Sequence, residues 1–368
     1  MKVSHLGRSA AVLAMGALAL TACGSDNPTG AQAAGSGGGT GVTGTLTGIG
    51  ASSQQAAMTA WQNGFRSEHD GATVQYSPDG SGAGRTAFLA GGANFAGSDA
   101  HMSEKENKDA VGRCGPDGAL NLPVYISPIA VAFNLPGIGS LKLDAPTIAK
   151  IFTGRIAEWD APEIAKQNPG VELPGTAVTV VHRNDDSGTT ENFTDYLHAA
   201  APREWPDEAA QAWPAEHAAE NNKGTSGVVA TTKATEGAVT YADASAVGDL
   251  GTAAVKVGGD HVTHTPEAAA KAVEVSSPVQ GRGEHDMAVE LDRRTTEPGA
   301  YPLVLISYHI VCSQYDSQDT AQLVKDFESY VVSEDGQKAA ADSAGSAPLS
   351  DALRQKAKAA VDSVSSGS

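Results

Sequence analysis

The chain of 368 residues predicts an α/β protein, because β-type and helical runs alternate from Gly44 onward. Three observations carry this. The strand-like runs are short and rich in Val, Ile, Ala and Tyr. The helical runs place apolar residues at intervals of three and four. Between them, small and hydroxyl residues gather where a strand ends and a helix begins. An apolar fraction of 40% and sparse aromatics (5%) suit a globular chain long enough for two domains and a sizeable core.

The elements follow in order. LTGIGAS (46–52) reads as a strand and leads into QQAAMTAWQNGFRSEH (54–69), whose Ala57, Trp61 and Phe65 recur at helical spacing. TVQYSPDG (73–80) is strand-like, and SGAGRTAFLAG (81–91) starts a helix. ANFAGSDA (93–100) is a short strand and turn, and SEKENKDAV (103–111) is polar and helical. YISPIAVAFNL (125–135) is a buried strand. In LDAPTIAKIFTG (143–154), Asp144 is the expected cap and Pro146 falls in the first turn. TAVTVVHRN (176–184) is a strand, NFTDYLHAAA (192–201) a helix and GAVTYADAS (237–245) a strand. YPLVLISYHIVC (301–312) is a long strand, and TAQLVKDFESYVVS (320–333) is expected to be the closing helix. The alternation implies mainly parallel sheets, and no internal repeat is visible.

The N-terminus stands apart. Lys2 and Arg8 precede an apolar run over residues 10–20, too short to span a bilayer and typical of an export signal. The LTAC that follows resembles a bacterial lipobox. That resemblance implies a signal over residues 1–22 and a lipid on Cys23, which would anchor the protein to the outer side of a cell membrane. An ordinary secretory signal with an incidental cysteine is the alternative. Residues 25–41 are rich in Gly, Ala and Ser with one charge, so 23–43 reads as lipidated cysteine and tether, reaching roughly 25 Å. Of the three cysteines, Cys114 and Cys312 remain, and outside the cytoplasm such a pair is expected to form a disulfide. Two buried thiols are the other reading. The formal charge of −18 becomes −20 without Lys2 and Arg8. That argues against nucleic acid as a partner and requires any anion site to win by local geometry.

Four strand-to-helix turns share one design: GIGASSQ (48–54), DGSGAG (79–84), GSDA (97–100) and RNDDSGTT (183–190). Helix N-termini expose unpaired N–H groups and partial positive charge, so they bind anions. Ligands in open α/β sheets bind beyond the carboxyl ends of strands, where these turns lie. One such turn is ordinarily a helix cap. Four of them, with Arg183, Asp185, Ser187, Gly188 and Thr189 in one, point to an oxyanion site.

These turns, with NLPG (134–137), IFTGRIAEWD (151–160), QNPG (167–170), RxDxSGT (183–189) and GAVTYADAS, give the chain its resemblance to the phosphate-binding proteins of bacterial phosphate ABC transporters. The resemblance runs from GIGAS to the end. It implies a type II periplasmic-binding-protein fold, in which two α/β domains flank a cleft and are joined by two hinge crossovers. The first domain would be 44–124 with 302–368, and the second 125–301. It also implies that a monomeric, non-enzymatic body without metal or cofactor captures inorganic phosphate and docks on a membrane permease. The implied ligands are the Ser52 hydroxyl, the Ser53 N–H, Ser81, Asp99, Arg183, Ser187, Gly188 and Thr189, with Asp185 orienting the arginine. Ser52-Ser53 replaces the Thr-Phe pair of the family. Asp186 stands where Gly is common, so its side chain is expected to face solvent.

Asp99 looks misplaced beside an anion. Phosphate near neutral pH still carries a proton that a carboxylate can accept, whereas sulfate has none and would leave a charged acceptor unpaired. A binding protein for sulfate or molybdate is therefore the nearest alternative. A serine hydrolase needs a base beside Ser187. His101, His182, His285 and His309 are candidates, but Ser187 lies in D-S-G rather than G-x-S-x-G. A phosphatase would need metal ligands near these turns. HVTH (261–264) has no accompanying Cys or carboxylate pattern and reads as a solvated surface pair. Arg85, in the first turn of its helix, is expected to be solvated rather than on the anion. Trp159 and Trp213 are expected to pack.

Overall fold

The computed structural model describes residues 42–367. The expected signal over 1–22, Cys23 and all but the last two tether residues lie outside the described residues. The chain opens with strand β1 (Gly44–Gly50) and helix α1 (Gln55–Glu68), which buries Ala57, Met58, Trp61 and Phe65. β2 (Ala72–Ser77), α2 (Ser81–Leu89) and β3 (Phe95–Ser98) follow. α3 (Glu104–Cys114) starts in a reciprocal cap: the Ser103 side chain accepts the Glu106 N–H and the Glu106 carboxylate accepts the Ser103 N–H. β4 (Ala119–Phe133) is buried at every position.

β5 (Ser140–Leu143) leads to α4 (Ala145–Phe152), where Asp144 accepts the Thr147 N–H at 2.9 Å. Then come α5 (Pro162–Gln167), β6 (Thr179–Arg183), α6 (Gly188–Ala200), β7 (Glu220–Asn222), α7 (Gly224–Ala234), β8 (Ala238–Asp243) and α8 (Ala244–Val247). β9 (Gly251–Val257), β10 (Asp260–Val262) and α9 (Pro266–Glu274) complete this part. A long strand, Val304–Cys312, then returns the chain to its first half. α10 (Gln318–Val331), α11 (Glu334–Ala344) and α12 (Asp351–Ser363) end it.

α10 is thus not the closing helix that the sequence suggested. The buried residues of the two helices beyond it are mostly small, Gly336, Ala340 and Ala344 in α11 and Ala357 and Ala360 in α12, so neither shows the large apolar residues that mark α10. α11 is nonetheless anchored: Trp61 Nε1 donates to its Gly336 carbonyl at 2.8 Å.

The main sheet runs β2-β1-β3, the return strand, β4, β8, β6, β7, with β9, β5 and β10 attached through the end of β4. β1, β2 and β3 are mutually parallel, and so are β8, β6 and β7. The middle departs from the expected parallel pattern. The return strand is antiparallel to both β3 and β4, and β4 is antiparallel to β8. The cause is the route of the chain. β4 carries it into the second half and Val304–Cys312 carries it back, so the two must run in opposite directions. β4 pairs with the return strand as far as Pro128 and with β8 from Ile129 to Phe133.

Cys114, at the end of α3, is disulfide-bonded to Cys312, at the end of the return strand. Among the described residues, no helix is long and apolar enough to cross a membrane.

Candidate functional site

The four turns singled out in the sequence converge between the β1–β3 half and the β6–β8 half of the sheet. A fifth helix start, that of α7, joins them. The approach of the halves depends on glycine at two positions. Gly80 precedes α2 with φ +106°, and a Cβ there would lie 2.8 Å from Asp185 Oδ2 and from the Asp186 carbonyl oxygen. A Cβ on Gly188 would lie 2.6 Å from Ser81 Oγ and 2.9 Å from Asp99 Cβ.

Asp99 is the centre of the first half-site. Its side chain is buried and accepts hydrogen bonds from three hydroxyls. Ser53 Oγ lies 2.7 Å from both carboxylate oxygens, Ser307 Oγ is 2.8 Å from Oδ1, and Thr189 Oγ1 is 3.0 Å from Oδ2. Its backbone is held as well. The Asp99 N–H donates to Ser81 Oγ at 3.1 Å, and its carbonyl accepts from Asn192 Nδ2 at 2.7 Å. Burial pushes the Asp99 carboxyl above its ordinary range, and the three hydroxyls and the charge of Arg183 pull against that shift without cancelling it.

Arg183 is the centre of the second. Nε donates to Asp185 Oδ1 at 2.7 Å, and Nη2 donates to Oδ2. Asp185 also accepts the Gly224 N–H at 3.1 Å. Burial would raise the Asp185 carboxyl, but the Arg183 hydrogen bonds and charge outweigh it and hold the group below its ordinary range. Arg183 Nη1 donates to no protein group among the described residues, so one prong of the fork can reach an anion. Ser187 Oγ caps α6 by accepting the Thr190 N–H at 3.1 Å. The first turn of that helix lies against Asp99: Thr189 reaches it with its hydroxyl and Gly188 packs beside it.

All nine residues expected at the site are brought together. Ser52 crosses the cleft: its Oγ accepts the Thr225 N–H at 3.0 Å and lies 3.0 Å from Thr225 Oγ1. The Gly82 N–H donates to the Asp186 carbonyl at 3.1 Å, which links α2 to the loop before α6. The Asp186 side chain is exposed, as expected. Sequence reading missed Ser307, Gln54, Asn192 and Thr225. A visible signal existed for Ser307, a single hydroxyl inside an apolar strand, and for Gln54, a polar residue just before an amphipathic helix.

Other residues take different places. Arg85 is not solvated but buried, with its guanidinium on Glu106 (2.9 Å) and Ser98 (2.7 Å). A buried cation needs such partners; these come from β3 and α3, and Glu191 of α6 adds a longer ion pair at 3.8 Å from the other half. His182 turns away from Ser187: its Nδ1 lies 2.8 Å from the Arg183 carbonyl, its Nε2 accepts the Ala219 N–H, and its ring stacks on Trp213. His309 pairs with Glu328 in the core, and His101 lies against the Met102 carbonyl. His285 sits in a turn near residues 283–286. His261 and His264 are half-buried rather than solvated. Trp159 is buried, with Nε1 on the Gly237 carbonyl, and Trp213 packs among Phe152, Phe193 and Tyr241.

Comparison with known proteins places these features in a wider group. The PBP superfamily domain matches residues 33–335. The phosphate-binding protein PstS 3 of Mycobacterium leprae is 37% identical over 99% of this chain and 100% of its own length. PstS 3 of Mycobacterium tuberculosis is 36% identical over the same shares. Among solved structures, the periplasmic phosphate-binding protein PfluDING, bound with phosphate, superposes with a TM-score of 0.69 at 22% identity, covering 86% of this chain and 93% of that one. At that identity the likeness speaks for the fold.

Proposed function

Because the chain belongs to the PBP superfamily and, within it, to the PstS phosphate-binding proteins, we propose that it captures inorganic phosphate in the cleft and delivers it to an ABC-type importer. The family is one of substrate-binding proteins, not enzymes. One observation carries the reading to this site: a buried carboxylate, Asp99, faces an arginine and a helix N-terminus supplied by the other half of the sheet. Helix starts and an arginine fork fit any oxyanion. A carboxylate among them fits an oxyanion that retains a proton, and phosphate near neutral pH does.

The proposed ligands are Ser52, the Ser53 N–H, Ser81, Asp99, Arg183, Ser187, Gly188 and Thr189, with Asp185 aiming the arginine. The two lobes are read as 44–124 with 302–368, and 125–301. Phosphate touching both would favour the closed arrangement, since only that arrangement satisfies both ligand sets. The body acts as a monomer, lipid-anchored through Cys23 after loss of residues 1–22, and docks on the membrane permease without covalent chemistry.

The test is a calorimetric titration of the purified protein with phosphate and with sulfate, alongside incubation with a chromogenic phosphate ester. Tight, saturable phosphate binding without turnover is expected. Equal affinity for sulfate, or turnover without phosphate binding, would overturn the reading.

A further inference from the structure

We propose that Gln54 and Ser307 are positioning residues that set the anion preference of the site, by fixing Asp99 as an acceptor of hydrogen bonds. The proposal rests on the phosphate reading and assigns it two residues outside the proposed ligand set. Ser307 lies at an irregularity in the long antiparallel pair. Tyr308 is opposite Pro123 while Ser307 is opposite Tyr125, so Val124 is left without a partner. Pro123 has no N–H to continue the ladder, and such bulges re-aim neighbouring side chains. Here Ser307 Oγ arrives 2.8 Å from Asp99 Oδ1.

The direction of that bond is determined by Gln54. Its side chain is buried, with Nε2 at 2.8 Å from Ser307 Oγ and 3.0 Å from the Tyr308 carbonyl oxygen. A backbone carbonyl only accepts, so the amide nitrogen must face this side. The amide oxygen then faces the Tyr76 hydroxyl at 3.2 Å, whose one proton is shared with the Ala51 carbonyl at 2.9 Å. Because Nε2 cannot take a proton, the Ser307 hydroxyl is left to donate, and the charged Asp99 Oδ1 at 2.8 Å is a stronger acceptor than the neutral Tyr125 hydroxyl nearby. The chain runs one way, from Gln54 to Ser307 to Asp99. Ser53 and Thr189 add their hydroxyls to the same carboxylate.

The charged and titratable groups facing Asp99 are few. Arg183 at the end of β6 favours the charged carboxylate, and Asp243 at the end of β8 opposes it. Tyr76 of β2 and Tyr125 of β4 are held neutral by burial. Hydroxyl donors must therefore supply much of what keeps a buried Asp99 ionised. A neutral Asp99 could donate to sulfate. An ionised Asp99 can only accept, and only phosphate brings it a proton.

The test measures phosphate and sulfate affinity of the full chain from acid to neutral pH for wild type, Ser307→Ala, Ser307→Thr and Gln54→Met. The phosphate-over-sulfate ratio at neutral pH is expected to fall about tenfold in Ser307→Ala, since one hydrogen bond to a charged group is lost. The acid-side loss of preference should move to higher pH. Ser307→Thr keeps the hydroxyl and should restore the ratio, while Gln54→Met should show a smaller fall of the same sign and carries the test should Ser307→Ala not fold. An unchanged ratio in Ser307→Ala and Gln54→Met, or a fall in which both affinities drop together, overturns the proposal. Wild type that binds no phosphate would instead overturn the functional reading on which it rests.

Discussion

Asp99 and Asp185 are the same residue type on opposite sides of one cleft, and their surroundings separate them. Asp185 meets the guanidinium of Arg183 through both oxygens, and its carboxyl is held low. Asp99 meets three hydroxyls and no cation directly, and its carboxyl is pushed up by burial. The first works through its charge, which gives the arginine a fixed direction. The second works by the kind of hydrogen bond that it can make. Charge in a binding site is therefore not one property. Which side of the cleft supplies it, and with what partners, decides whether it attracts a ligand or discriminates among ligands.

Removing Arg183 should break the comparison most severely. Arg183→Met takes away the fork and leaves the partly buried Asp185 without its partner, and breaking a buried pair costs roughly 3–5 kcal/mol. Calorimetry should show phosphate affinity lower by on the order of a thousandfold, with sulfate falling alongside. Gly188→Ala attacks the meeting of the halves instead. Its Cβ would lie 2.6 Å from Ser81 Oγ, and overpacking of about 1–3 kcal/mol should weaken both anions roughly tenfold or more. A variant that bound as tightly as wild type would show that the close approach is not needed.

Asp99→Asn should sharpen the contrast, because it alters choice more than strength. The phosphate-over-sulfate preference should narrow by about tenfold, the value of an unpaired charged acceptor of about 1–3 kcal/mol. Retained selectivity would remove Asp99 from its role.

Asp243 tests the burial effect without the ligand. Burial, offset in part by bonds from Ser245 and Ser127, pushes its carboxyl up to about 6. The folded value exceeds the unfolded one, so its contribution to stability is present below about pH 4 and is lost as pH rises through about 6. Asp243→Asn should therefore melt several degrees higher than wild type at pH 7 and lose that difference near pH 4. The smallest effect is expected from Lys223→Ala. Lys223 reaches Asp79 across the cleft at 2.8 Å, but both are exposed, and such pairs contribute little. Phosphate dissociation rates should be unchanged. A clear acceleration would show that the rim latches the cleft.

Much of this was legible in the sequence. The turn at 183–190 announces both its helix cap and its arginine, because those functions are local and need residues only a few positions apart. The strands up to β4 follow from runs of apolar residues. What stayed hidden was long-range. Ser307 is 208 positions from Asp99, and no pattern near either residue says that a bulge opposite Pro123 brings them together. Arg85 misled because a first-turn arginine says nothing of the glutamate and serine that bury it. The direction of the sheet's middle strands misled because local runs carry no record of the route between halves.

The position of Val304–Cys312 has a consequence for how the chain comes to be folded. That strand lies between β3 and β4, which precede it by 171 or more residues and do not pair with each other. A chain emerging N-terminus first therefore carries two open strand edges until its last quarter is made. Unpaired edges invite association with other chains. Insertion of this strand closes both at once, and the bond from Cys114 to Cys312 ties its far end to the end of α3.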